Sequence, residues 1–215
     1  MEHFDIPHLN TSVYIWFFNK VTNLTQIRSS LIEASKLNES DPNTIHERNR
    51  LDWCFLNPKM ITSSQHLNTA IYQALLARSH HQLKTKTIYS EIMWTLSPGT
   101  NITDSIKKFG IDPKSDKLIL IKITKKSEEE KKSEESIKLN QLALELIQGS
   151  LISINQIKSL GTDWNEVCKV YKLNEDLVIK EYQKNLKNGI SQEDDLYEII
   201  DRIVTSTVAF KSVAG

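Results

Sequence analysis

At 215 residues the chain suits one domain with room for insertions. Its 27 Lys and Arg residues cancel its 27 Asp and Glu residues, which excludes a global cationic field for nucleic acid, so any phosphate contact has to come from a local cluster. No apolar run is long enough to span a bilayer and no leader-like segment opens the sequence, so an intracellular location with no membrane contact is expected.

Residues 13–18, Val-Tyr-Ile-Trp-Phe-Phe, are apolar on both parities, the pattern of a central strand covered on both faces. Asn23 with Gln26 three residues on fits a capping box, and Leu24, Ile27, Leu31 and Ala34 make the helical stripe that follows. Residues 35–51 turn polar and read as an exposed loop or frayed helix. Phe55 to Ile61 reads as a short strand or extended segment. Leu67, Ala70, Ile71, Ala74 and Leu75 form the next helical stripe, ending at Arg78 and the pair His80-His81. Adjacent histidines point about a third of a turn apart on a helix, so they suit one metal poorly and no metal site is expected.

Ile88, Ile92, Trp94 and Leu96 fall on one parity, which predicts a strand with one covered face. Glu91 lies on the other parity, where an ion pair with Lys84 or Lys86 is expected. Ser97-Pro98-Gly99 stops the strand. Asn101, three residues before Asp104, is placed to cap a short helix with Ile102, Ile106 and Phe109 on one face, and Gly110 to end it in a left-handed C-cap. The apolar run from Leu118 to Ile121 predicts a buried strand continuing to Ile123.

Residues 125–136 are charge-balanced with no apolar member, a mobile loop or a solvated first helical turn. Leu139, Leu142, Ala143, Leu146 and Ile147 then give an amphipathic helix stopped by Gly149, and residues 151–154 a last short strand. Asp163 with Glu166 opens a helix through Val167, Val170 and Tyr171, and a polar helix occupies 175–187. Ser191 is the expected N-cap of the C-terminal helix, in which Leu196, Ile199, Ile200, Ile203, Val204 and Thr207 repeat at three- and four-residue spacing. Its β-branched residues are mediocre helix formers, so it needs packing to persist. That packing comes either from the domain's own core or from a partner.

No catalytic constellation appears. There is no Gly-rich loop followed by Lys-Ser/Thr, no Gly-x-Ser-x-Gly elbow, and no His-Glu-x-x-His or Cys-x-x-Cys ligand set. The two cysteines, Cys54 and Cys168, sit in apolar surroundings and read as buried free thiols before they read as a nucleophile or a disulfide. No cofactor is implied, and an orphan hydrolase is discounted for want of a nucleophile–base pair. The fold expected is α+β: a small, mainly antiparallel sheet from the strands near 13–18, 88–96 and 118–123, with helices packed on it and a C-terminal amphipathic helix.

The ordered pattern Lys84-x-Lys86-Thr87, Ser90-Glu91-Ile92, Leu96-Ser97-Pro98, Asn101-Ile102 and Phe109-Gly110-Ile111 resembles the PRPK-binding protein family, the small kinase-binding subunit of the KEOPS/EKC complex. Fainter similarity runs through Val21-x-Asn23, Ile27-Arg28, Asn57-Pro58 and Val170-Tyr171-Lys172-Leu173. Together these cover most of the chain. The polar segments 35–51, 125–136 and 175–189 exceed the usual family plan and suggest a fungal-type member.

The resemblance implies a non-catalytic accessory subunit of the assembly that places threonylcarbamoyl on tRNA adenosine. It implies binding of the complex's small atypical kinase/ATPase, indirect contact with the other subunits, and capture of tRNA by its 3′ CCA end. It also implies a nuclear and cytoplasmic location, and in fungal relatives a tie to telomeres and the chromosome. By position, the family's docking face falls on Leu196, Ile199, Ile200, Ile203, Val204 and Thr207. For tRNA, Arg78, His81, Lys84 and Lys86 offer charges to phosphates, with Tyr89 or Tyr72 available to stack on a base. The bland alternative is that these lysines are a solvated strand end. The rival function is a stand-alone tRNA-binding or single-stranded nucleic-acid-binding protein.

Overall fold

The apolar run at 13–18 lies inside a nine-residue strand, Thr11–Asn19. The computed structural model describes residues 1–36, 42–187 and 192–211. In chain order the elements are β1 (Glu2–Ile6), β2 (Thr11–Asn19), α1 (Leu24–Lys36), α2 (Pro42–Arg50), β3 (Cys54–Leu56), α3 (Ser64–Ser79), α4 (Ile88–Leu96), α5 (Ile102–Phe109), β4 (Leu118–Lys125), α6 (Glu129–Leu146), β5 (Ser150–Ile152), α7 (Trp164–Val170), α8 (Leu177–Lys187) and α9 (Glu193–Phe210). The fold is α+β, with the small antiparallel sheet and the C-terminal helix that the sequence predicts. The chain divides into two compact units: Met1–Asn57 with Gly110–Ile154, and Pro58–Phe109 with Asn155–Gly215. The expected cap Ser191, and the parts of the expected polar insertions at 37–41 and 188–189, lie outside the described residues.

The first unit holds the sheet, in the order β1-β2-β4-β3 with β5 also on β2. All pairings are antiparallel. Along one edge β2 meets β4 from Thr11↔Lys125 to Phe18↔Leu118. Along the other it is shared: β1 pairs with its first half, from Glu2↔Ile15 to Ile6↔Thr11, and β5 with its end, from Phe17↔Ile152 to Asn19↔Ser150. Tyr14, Trp16, Phe18, Leu118, Leu120 and Phe55 form one core with Leu24, Ile27 and Ala34 of α1 and Leu139, Ala143 and Leu146 of α6. On the opposite parity Val13, Ile15 and Phe17 are buried as well, so β2 is covered on both faces as its composition requires.

Two local expectations change here, and the third, left between two alternatives, goes to the helical one. Asn23 does not form a capping box: its Nδ2 donates to the Leu146 carbonyl at 3.0 Å and its Oδ1 accepts from Gln148 N at 3.1 Å, tying the start of α1 to the end of α6. A buried amide with two backbone partners across the fold outcompetes the local cap. Leu142 is exposed, although Leu139, Ala143, Leu146 and Ile147 are buried as expected. The charged stretch 125–136 spans the end of β4 and the first turns of α6; Lys132 Nζ reaches Asp5 at 2.8 Å and the Ser127 hydroxyl donates to Glu135.

The second unit is helical. Leu67, Ala70, Ile71, Ala74 and Leu75 are sealed along α3, and the helix opens on Ser63, whose Oγ accepts from His66 N at 3.0 Å. The segment Ile88–Leu96, expected as a strand, is the helix α4. Thr87 and Ser90 close a reciprocal capping box at its start, and Tyr89, Ile92 and Leu96 are buried. Asn101 caps α5 as expected, its Oδ1 accepting from Asp104 N at 3.2 Å. The apolar face does not follow: α5 turns Ser105 and Phe109 inward and leaves Ile102 and Ile106 exposed. Asp163 caps α7 by accepting from Glu166 N at 3.0 Å.

Candidate docking face and basic loop

α9 begins with Glu193, Asp194 and Asp195, charges that complement the positive end of the helix dipole. Tyr197 stacks on Trp164 of α7 with ring centroids 4.3 Å apart, and its hydroxyl donates to Glu193 at 2.8 Å; burial and that carboxylate push Tyr197 up to about 12. Further along, the Thr62 hydroxyl donates to Asp201 at 2.6 Å, and Gln73 Nε2 of α3 donates to the Ala209 carbonyl at 3.1 Å. The helix is therefore held at its start, middle and end by residues of its own unit.

Its apolar residues fall into two sets. Leu196, Ile200, Val204 and Val208, four residues apart, are buried in the unit's own core, where α9 packs on α3. Leu196, Ile200 and Val204, assigned to a partner by resemblance, are thus covered by this chain. Ile199 and Ile203 are half-buried and Thr207 is exposed. Arg202, Ile203, Ser206, Thr207 and Phe210 line a shallow open groove on the outer face, with Phe210 68% exposed. Phe210 was not singled out in the sequence, although it lies three residues after Thr207 and seven after Ile203, the spacing that continues the outer stripe.

The other candidate cluster lies between α3 and α4. Arg78 sits half-buried in the last turn of α3, and His81 is exposed in the left-handed region with φ 57°. Lys84 and Lys86 are exposed, and neither side chain makes an ion pair or hydrogen bond with a described residue. The expected ion pair from Glu91 does not form. Glu91 is only 1% exposed and accepts from Thr85 N at 2.8 Å and Thr85 Oγ1 at 2.7 Å, so a buried carboxylate organises the loop that carries the two lysines. Tyr89, proposed to stack on a base, is buried in the first turn of α4, whereas Tyr72 of α3 is exposed.

Cys54 and Cys168 are both buried, and burial pushes both thiols up, away from thiolate chemistry. Among the described residues no group of three His, Cys, Asp or Glu side chains is placed to hold a metal, and no helix is long and apolar enough to cross a membrane.

The family model described as kinase binding protein CGI-121 matches residues 18–212. The chain belongs to the CGI-121 family. It is similar to the EKC/KEOPS complex subunit CGI121 of Candida albicans, 35% identical over 188 residues, covering 84% of this chain and 88% of the relative. The Cryptococcus neoformans subunit of the same name is 30% identical over 240 aligned positions, covering 96% of each chain. The Schizosaccharomyces pombe subunit is 28% identical over 165 residues, covering 76% of this chain and 83% of the relative. In this CGI-121 member the motif-bearing stretch from Lys84 to Phe109 is a basic loop followed by α4 and α5.

Proposed function

We propose that this chain is a non-catalytic subunit of an EKC/KEOPS complex that docks the complex's kinase through the outer face of α9 and supports threonylcarbamoyladenosine formation on tRNA. One observation carries the reading: after α9 has contributed Leu196, Ile200, Val204 and Val208 to its own core, a second apolar face around Ile203 and Phe210 remains open. A helix with a spare apolar face fits helix-on-helix or helix-in-groove docking, where a few buried anchors dominate the affinity. The test is co-purification with the kinase. Ile199→Glu with Ile203→Glu abolishes it, and Phe210→Ala weakens it roughly tenfold, while the thermal transition stays in place. Retained binding by the double variant would reject the docking face.

The same reading gives the loop carrying Lys84 and Lys86, with Arg78 and His81 nearby, to tRNA phosphates and the 3′ CCA end, and places the protein in nucleus and cytoplasm with a telomere role in fungi. The unpaired lysines support it. A gel-shift comparison of intact tRNA with tRNA trimmed of CCA tests it: Lys84→Glu with Lys86→Glu lowers affinity for intact tRNA, and trimming does the same. Equal binding of both tRNAs would remove the CCA assignment. A shift of undiminished strength without the kinase favours the stand-alone nucleic-acid-binding reading.

A further inference from the structure

Immediately after Phe210 the chain places Lys211, whose side chain does not run out into water. Its Nζ donates to the carbonyl of Trp94, to that of Ser97 at 2.5 Å and to that of Gly99 at 2.9 Å, and it lies 3.8 Å from the centre of the Trp94 ring. The three N–H donors of an ammonium are thus all matched to backbone oxygens, with a π face as a fourth wall.

The sequence explains why the cage is there. α4 ends at Leu96, and residue 98, whose N–H would bond to the Trp94 carbonyl if the helix continued, is Pro98 and has none. The Trp94 carbonyl shares Ser97 N with the Met93 carbonyl, each at 3.2 Å, and receives the ammonium as well. The negative end of the α4 dipole adds to the attraction. Trp94 is itself fixed, its Nε1 donating to the Thr100 carbonyl at 3.1 Å. Burial pulls Lys211 down to about 8, with the Glu91 carboxylate opposing, so at neutral pH the side chain is still mainly the cation.

A helix end at the surface ordinarily frays. Here the final turn of α9 is held from two sides, by Gln73 on the Ala209 carbonyl and by the Lys211 cage, and between the two attachments sits the most exposed aromatic of the outer groove, Phe210. An anchor residue on a pre-ordered turn loses less entropy on association than one on a frayed end.

We propose that Lys211 is a positioning residue for the docking face: its ammonium, seated in the cage of Trp94, Ser97 and Gly99 carbonyls, locks the last turn of α9 and so sets Phe210 for the kinase. This rests on the docking reading above. It assigns the C-terminal end of α4 as an ammonium-binding cradle that the protein fills with its own lysine.

The experiment compares wild type, Lys211→Ala, Lys211→Met, Phe210→Ala and Ile203→Glu for kinase affinity, with amide exchange followed over the last turn of α9. Lys211→Ala is expected to bind roughly tenfold more weakly. Exchange should quicken at residues 207–210 and not in α3. Added propylammonium, which supplies the three missing carbons and the charge, should restore the affinity of Lys211→Ala, and 1-propanol should not. If Lys211→Ala does not fold, Lys211→Met, which keeps the apolar stem, carries the same expectation without the rescue. If Phe210→Ala and Ile203→Glu lose binding while the Lys211 variants keep it, the latch is wrong and the docking face stands. If propanol restores binding as well as propylammonium does, the cage is not reading charge and the proposal falls. If Phe210→Ala and Ile203→Glu bind like wild type, the docking face is wrong and the latch goes with it.

Discussion

The ring Nε2 of His66 stands 3.3 Å from the hydroxyl of Tyr171, and both side chains are buried in the second unit. His66 Nδ1 accepts from Thr62 N at 3.3 Å, so in the neutral ring the proton sits on Nε2 and points at Tyr171, whose hydroxyl donates in turn to the Leu96 carbonyl. One directed chain of hydrogen bonds thus joins the start of α3, the end of α7 and the end of α4.

That chain makes stability depend on acid. Burial lowers His66 from 6.5 to about 4, and the nearby Asp201 carboxylate opposes the shift only in part. Between those values the unfolded chain binds the proton and the folded chain does not, so stability is complete above 6.5 and falls as pH drops toward 4. The loss is roughly 2 kcal/mol at pH 5. Urea midpoints at pH 7 and pH 5 should separate clearly for wild type and much less for His66→Gln. Equal separations in both proteins would contradict a buried neutral imidazole.

Glu91 should behave as the organiser of the basic loop. Glu91→Ala removes the acceptor for Thr85 N and Thr85 Oγ1, at a cost of about 1–3 kcal/mol. Trypsin should then cut after Lys84 and Lys86 sooner than elsewhere, because the loop loses the carboxylate that folds it back. An unchanged digestion pattern would show that the loop is ordered by other contacts.

Gly149 admits no side chain. A Cβ there would stand 2.9 Å from Val21 Cγ2 and 3.1 Å from the Asn19 carbonyl, and backbone cannot yield as a flexible side chain can. Gly149→Ala should therefore destabilise by about 1–3 kcal/mol in denaturant titration. A neutral result would mean that the approach of β5 to β2 relaxes freely.

Lys172 occupies the left-handed region with φ 57°, a conformation that costs an L side chain roughly 1 kcal/mol. Lys172→Gly should relieve that cost and raise stability by up to about 1 kcal/mol, the gain being trimmed by the freer unfolded chain. Lys172→Ala keeps a Cβ and should give no such gain; equal effects of the two would assign the change to the lost charge.

The strands at 13–18 and 118–121 were legible because short unbroken apolar runs of that length, rich in β-branched or aromatic residues, have few other uses. Ile88–Leu96 was not, and the reason is geometric. Ile88, Ile92 and Leu96 are four residues apart, a spacing that satisfies both a two-residue period and one helical face; only Trp94 tipped the balance to strand, and in the structure Trp94 is half-buried. The Thr87-x-x-Ser90 start was the better witness, since a reciprocal cap has no role ahead of a strand. For the outer groove, periodicity marked the whole stripe of α9, but dividing it between Ile200 and Ile203 needed the position of α3. The partnership of Lys211 with Trp94 spans 117 residues of sequence and leaves no local trace.

The shared edge of β2 has a practical consequence. On that edge residues 11–15 pair, among the described residues, with β1 alone, a five-residue strand. Removing or displacing that strand would bare consecutive amide and carbonyl groups on a flat, greasy ribbon, a ready template for another molecule to add itself. A variant lacking residues 2–6 should therefore come out as sticky oligomers.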